Sequence, residues 1–256
     1  MKTLLKKTIL TAALILLLPL AGIAQESSMK SFWIHEDVVK PSMVMEYETV
    51  CKELVSNMKK YNITEADFIV STLSGSRYLY VGGISNMADL DKKVFSTLAE
   101  KMGGDAMSDL FKRMDKCYDI EHDYVIHLDS DLSYMPSGMT QTPEGKNYRK
   151  FHYLYITPEN RDIVKEKMKA IKALWASKNS KVEYRVYKSG FGTKGEFYMV
   201  AVAAKDAVDY AVSAKENQDL LGEEGKKIMG ELYKNLLKYE EYVGEMRPDM
   251  AYSPSN

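Results

Sequence analysis

Glu36, Arg185 and Glu196 are charged side chains set in short stretches that alternate with apolar and aromatic residues, as in Glu183-Tyr184-Arg185-Val186-Tyr187 and Glu196-Phe197-Tyr198-Met199. A β-strand turns successive side chains to opposite faces. If Tyr184, Val186, Phe197, Met199, Leu154 and Ile156 face helices, then Glu36, Tyr80, Tyr153, Tyr155, Arg185, Glu196 and Tyr198 face the other way, with Phe151, Ile34, Val38, Ile69, Ser71, Tyr78, Glu183 and Tyr187 beside them. Buried carboxylates and guanidinium groups need partners, and tyrosine hydroxyls need acceptors. That set predicts a wet, tyrosine-lined cavity in which Arg185 holds a carboxylate or phosphate while the tyrosines stack. The blander alternative leaves the charges at strand ends, in solvent, with the tyrosines as ordinary core. A one-residue slip in any strand reverses its faces.

Two histidines, His35 and His152, fall at matching places, and the alternation turns both toward the helices. Asp37 shares that face. An imidazole beside a carboxylate can act as a general base, and the same residue type equally suits structural hydrogen bonding. His122 and His127 flank a strand and read as surface residues. The acidic stretch Asp115 to Asp123 and the pair Glu240-Glu241 read as solvated helix ends. Two cysteines and four histidines show no zinc-ligand spacing, so no metal site and no cofactor is expected. Cys51 and Cys117 read as buried thiols, with a disulfide as the alternative in an oxidising compartment. Gly82-Gly83 and the Gly190 to Gly195 turn lack the Lys-Ser/Thr of a phosphate loop, and no Gly-x-Ser-x-Gly elbow is present.

The elements that must position these residues form a repeat. Asp131-Leu132-Ser133-Tyr134-Met135-Pro136-Ser137 returns as Asp249-Met250-Ala251-Tyr252-Ser253-Pro254-Ser255, an offset of 118. At that offset Tyr124-Val125 matches Tyr242-Val243 and Tyr80 matches Tyr198, while His35 and Pro41 match His152 and Pro158 at 117. An ordered series at nearly constant spacing indicates tandem duplication. Each repeat opens with a strand, over 33–39 and 151–156. A proline then opens a helix that runs to about Tyr61 and about Lys178. Two strands follow, over 67–72 with 77–84 and over 182–188 with 195–202. A long helical region comes next, broken at Gly103-Gly104 and at Gly222, with Asp105 as an N-cap. A short strand-like tail carries Asp-x-x-Tyr-x-Pro-Ser, where proline stops the strand and tyrosine packs it down.

Strand–helix–strand–strand–helix–strand is the split βαβ, or ferredoxin-like, plan. One unit leaves a sheet face bare, and two units can bury those faces against each other. The predicted class is α+β, with two tandem ferredoxin-like (split βαβ) repeats forming a pseudo-dimeric α+β barrel. Its predicted parts are a signal peptide over 1–24, repeat one over 30–137, a polar linker over 138–148 and repeat two over 149–256. This order and duplication resemble the dimeric α+β barrel superfamily, which includes antibiotic-biosynthesis-monooxygenase-like and NIPSNAP-like domains, here as a fused pseudo-dimer. The resemblance implies that the space between the sheets takes a ligand. The residues used by haem-binding and haem-degrading members find no match, so no activity carries over.

Lys2, Lys6 and Lys7 precede an apolar run from Ile9 to Leu20, and Gly22-Ile23-Ala24 places small residues at a cut site. That is a secretory signal, with cleavage expected after Ala24. The run is shorter than the roughly 20 apolar residues of a spanning helix, and no other long apolar segment follows, so a soluble periplasmic or secreted protein with no stable membrane anchor is expected. Removing three of the 35 basic residues against 36 acidic ones leaves a net charge of −4, which argues against nucleic acid as a partner. The functional expectation is binding of a small molecule or a partner through an inter-sheet cavity. The alternative is a cofactor-independent oxygenase or isomerase with Tyr, His and Glu in acid–base roles.

Overall fold

The computed structural model describes residues 29–255, so the expected signal peptide over 1–24 lies outside the described residues. The chain runs β1 (Met29–Val39), α1 (Val44–Tyr61), β2 (Ile69–Leu73), β3 (Arg77–Ile84), α2 (Ser96–Met102), α3 (Gly104–Asp115) and β4 (Tyr118–Tyr134). It continues β5 (Tyr148–Ile156), α4 (Arg161–Ser177), β6 (Tyr184–Ser189), β7 (Glu196–Ala204), α5 (Ala207–Tyr233) and β8 (Lys238–Glu245).

Local chemistry sets these bounds. Pro41 and Pro158 each open a short 3-10 turn that leads into α1 and α4. On α1, Tyr47, Val50, Cys51, Leu54, Val55 and Met58 recur at helical spacing and are all buried. Gly103, at φ +90°, divides α2 from α3, and Gly222, at φ +57° and ψ −147°, kinks α5; a side chain would be strained at either angle. Asp105, expected as a cap, lies inside the first turn of α3, and Gly103 occupies the N-cap. No helix among the described residues is long and apolar enough to cross a membrane.

One eight-stranded sheet has the order β2-β3-β1-β4-β6-β7-β5-β8. Each half carries the ferredoxin-like order, and β4 of the first half pairs antiparallel with β6 of the second. The outermost strands, β2 and β8, meet to close the barrel. Arg247 N donates to Val70 O at 2.8 Å, Ser74 N to Val243 O at 2.8 Å, and Glu245 N to Thr72 Oγ1 at 3.0 Å. Gly244 permits this approach, because a Cβ there would collide with the Thr72 carbonyl oxygen.

Apolar residues form three cores. One lies under the helices of repeat one, one under those of repeat two, and one inside the barrel. The tails cross between halves. Tyr252 enters the core of repeat one, with its hydroxyl on Ile63 O at 2.7 Å and Met58 O at 3.2 Å. Tyr134 does the same in repeat two, bonding Ser180 O at 3.1 Å. The repeated motif is therefore a pair of reciprocal straps.

Three expectations are corrected. The acidic stretch from Asp115 to Asp123 is mostly the start of β4, a strand of 17 residues, and His122 and His127 lie within that strand. Glu240 and Glu241 lie in β8, not at a helix end. The sheet registers also break the joint match of His35 with His152 and Tyr80 with Tyr198: His35 sits opposite Tyr80, whereas His152 sits opposite Val200. The turn after β6 is longer and moves β7 along by two residues.

Candidate functional site

Four of the seven cavity residues inferred from alternation point into the barrel. Glu36 is buried there, with Arg77 Nε donating to it at 2.6 Å and the Tyr124 hydroxyl at 3.1 Å. Tyr153 packs between Phe197 and Tyr242, with ring centroids 5.1 and 5.5 Å away. Tyr155 stands at the rim, its ring 5.4 Å from Lys238 Nζ. Arg185 is only 3% exposed.

The other three face outward, and this corrects their placement. Tyr80 belongs to the helix layer, where its hydroxyl contacts Tyr47 and Cys51. Tyr198 packs in the helix-side core of repeat two, and Glu196 pairs with Arg161 at the start of α4. Tyr78 also lies on the helix side, while Leu79, Phe197 and Met199 point inward. The slip affects β3 and β7, the third strand of each repeat. The expected wet interior is corrected too: Phe32, Ile34, Ile126, Leu128, Phe151 and Tyr187 fill most of it, leaving about 60 Å³ of space.

A second polar group lies at the end of the barrel under the linker. Arg149, which the sequence reading passed over, is 1% exposed and lies beside Arg185 in this region. It shares strand parity with Phe151 and Tyr153, and that was the available signal. Arg149 donates to Gln141 O at 2.9 Å and Tyr148 O at 3.0 Å, and also to Lys146 O. Arg185 Nη1 donates to Thr140 O at 2.6 Å, and its Nε has no acceptor. Among the described residues neither arginine pairs with a carboxylate: Glu36 is taken by Arg77, and Glu183 receives the amide and hydroxyl of Ser137. Burial, then the charge of Arg185, pushes the Arg149 pKa down to about 10. Burial likewise lowers that of Arg185.

Arg185 also borders an open cleft of about 270 Å³ where β6 begins and β7 ends. Lys146, Lys181 and Lys205 line it, and among the described residues none of them has an ion-pair partner. The acids of the cleft, Glu183 and Asp209, are both engaged by backbone amides. The arrangement can accept negative charge at the rim, and Arg185 and Ala201 line both the cleft and the small interior space.

The two histidines differ. His152 is satisfied by tyrosines, with Nδ1 2.7 Å from the Tyr239 hydroxyl and Nε2 3.2 Å from that of Tyr210. His35 stands between carboxylates: Nδ1 donates to Asp123 at 3.0 Å, and Nε2 lies 3.2 Å from Asp37 Oδ1. Burial opposes its charge, but Asp37 and Asp123 outweigh burial and raise its pKa to about 9. Cys51 and Cys117 are free buried thiols.

No protein-family model matches the chain, and no curated protein is similar in sequence. Solved structures do match. An anthrone oxidase-like protein aligns at 12% identity and TM-score 0.55, over 88% of this chain and 94% of its own. Presumed monooxygenases of Fusobacterium nucleatum and Lactobacillus acidophilus align at 11% and 10% identity, with TM-scores of 0.54 and 0.50. They cover 86% and 85% of this chain and 93% and 94% of their own. This chain has the dimeric α+β barrel fold. At these identities the likeness is one of fold. In this pseudo-dimeric barrel the two halves have diverged, since the arginine pair belongs to repeat two and the carboxylate-flanked histidine to repeat one.

Proposed function

We propose that this barrel binds a small organic anion, a carboxylate or phosphate on an apolar or aromatic body, at the rim formed by Arg185, Arg149 and the 138–148 linker. One observation carries the reading: among the described residues two adjacent buried guanidinium groups have no carboxylate partner, and one of them has a free Nε. Burying like charges together is costly unless an anion compensates them, and a planar guanidinium matches carboxylate or phosphate oxygens in pairs. The lysines of the cleft would draw the anion in. The protein works in this role outside the cytoplasm, after cleavage at Ala24, as the basic, apolar and small-residue order of 1–24 supports.

The test is native mass spectrometry of protein purified from its host, followed by calorimetric titration with benzoate, indole carboxylates and phenyl phosphate. The expected result is a retained or added anion whose binding is lost in Arg185→Met. Binding that is unchanged in that variant, or absent for every anion and from the host-purified protein, overturns the proposal. The monooxygenase descriptions of the fold neighbours favour a second reading, cofactor-independent oxidation, with the Tyr124–Glu36–Arg77 group inside the barrel as its acid–base element. Oxygen consumption with the bound molecule, lost in Glu36→Gln, would distinguish oxidation from binding alone.

A further inference from the structure

Four side chains meet on the helix-facing side of repeat one. His35 and Asp37 stand two apart on β1 and so share a face. On β4 their cross-strand partners are Asp123 and Glu121. One donor atom each from His35, Asp37 and Glu121 lies within 4.8 Å of the other two. Donors around a tetrahedral divalent ion, each about 2.1 Å from it, sit about 3.4 Å apart, so small rotamer changes close the set around an ion.

We propose that His35, Asp37 and Glu121 bind a divalent transition-metal ion, Zn²⁺ or Mn²⁺, with Asp123 orienting the imidazole. Three observations support this. Asp37 is 1% exposed, yet its Oδ1 has no aligned donor, although it lies on the side of His35 Nε2. Its other oxygen is held by the Tyr47 hydroxyl at 2.5 Å, which fixes the carboxylate. Asp123, itself held by Trp33 Nε1 at 2.9 Å, takes the Nδ1 proton of His35. An ion that displaces the Nε2 proton, which faces Asp37, would take Nε2 as its ligand atom, the arrangement in which a second carboxylate sets the tautomer of a metal-bound histidine.

Repeat two is the internal control. His152 lies opposite Glu241, and Leu154, in the place of Asp37, lies opposite Tyr239, in the place of Glu121. The fold thus needs a satisfied imidazole at this position, which tyrosine hydroxyls supply, and does not need two further carboxylates. Glu121 is exposed, so the site opens to solvent, and three protein donors leave a coordination position for water or a ligand.

The test is calorimetric titration of chelator-treated protein with Zn²⁺ and with Mn²⁺, alongside Co²⁺ absorption as a geometric signature. The expected result is one ion per chain, with affinity reduced at least about tenfold in Glu121→Gln, lost in His35→Gln and reduced in Asp123→Asn. His127→Gln should bind as the wild type does. Failure to bind at about 100 µM metal, or equal binding by Glu121→Gln, overturns the proposal. Should His35→Gln fail to fold, Glu121→Gln decides, since an exposed side chain can be changed without disturbing the core.

Discussion

Replacing Arg185 with Met deletes a buried charge while keeping an apolar stem of similar length. A guanidinium locked to a carboxylate would leave a stranded charge on removal, at a cost of about 3–5 kcal/mol. Here the only acceptor lost among the described residues is Thr140 O, and a hydrogen bond from a charged donor contributes about 1.5–3 kcal/mol. Relief acts in the opposite direction. Arg149 is held at about 10, well below the usual guanidinium value, which corresponds to roughly 3 kcal/mol disfavouring its charged form; burial is the main cause and Arg185 the second. A base whose folded pKa is depressed destabilises the fold below that pKa, and the penalty fades as pH rises from about 10 toward the usual guanidinium value. Burial is the larger cause for Arg149 and remains in the variant, so what is relieved at neutral pH is the share from Arg185 together with the burial penalty on Arg185 itself, and these work against the lost hydrogen bond. Arg185→Met should therefore lie within about 1 kcal/mol of the wild type without ligand. The assay is urea unfolding, because guanidinium chloride would compete for the anion. With ligand at a hundred times its Kd, the wild type should gain about 2.7 kcal/mol and the variant nothing. A loss above about 3 kcal/mol without ligand would refute the reasoning and make Arg185 a brace for the linker.

Glu48 is paired with Arg247, which also holds Asp249, and this pairing lowers the Glu48 pKa to about 2. The stabilisation is therefore present above the unfolded pKa near 4.5 and lost as pH falls toward 2; acid-titrated melting temperatures should decline less steeply through that window in Arg247→Ala. Tyr252→Phe removes a hydroxyl shared by two buried carbonyls and should cost about 1–2 kcal/mol in urea unfolding, whereas a change below about 0.3 kcal/mol would deny the strap its anchoring role. Gly244→Ala places a methyl against the Thr72 carbonyl and should cost at least about 2 kcal/mol, with faster amide exchange in β2 and β8 than elsewhere in the barrel.

The duplication was legible because its landmarks are chemically distinctive. Pro41 and Pro158 start helices, Gly103 and Gly222 break them, and Tyr134 and Tyr252 end the repeats. The faces of β3 and β7 were not legible. A sheet buried on both sides carries apolar residues on both, so Arg77-Tyr78-Leu79-Tyr80-Val81 has no polar face to set its parity. Tyr80 and Tyr198 looked like cavity residues because their hydroxyls needed acceptors, and the acceptors near Tyr80 are on α1. On β1 and β5 the alternation was one-sided enough to place Glu36 and Tyr153 correctly. Glu121 read as part of a solvated acidic stretch because its relation to Asp37 exists only in the β1–β4 register, which neither segment encodes alone.

The crossed straps bear on how the molecule is made. Residues near the N-terminus of a chain usually fold first as synthesis proceeds. In this protein the core of repeat one receives Met250 and Tyr252 from the far end, so the Ile63 carbonyl waits for a partner 189 residues downstream. Repeat two carries no such delay, because Tyr134 has already emerged when α4 forms. The half synthesised first is thus the half completed last, and a chain stalled after β8 but short of Met250 would hold one finished unit and one with an open core.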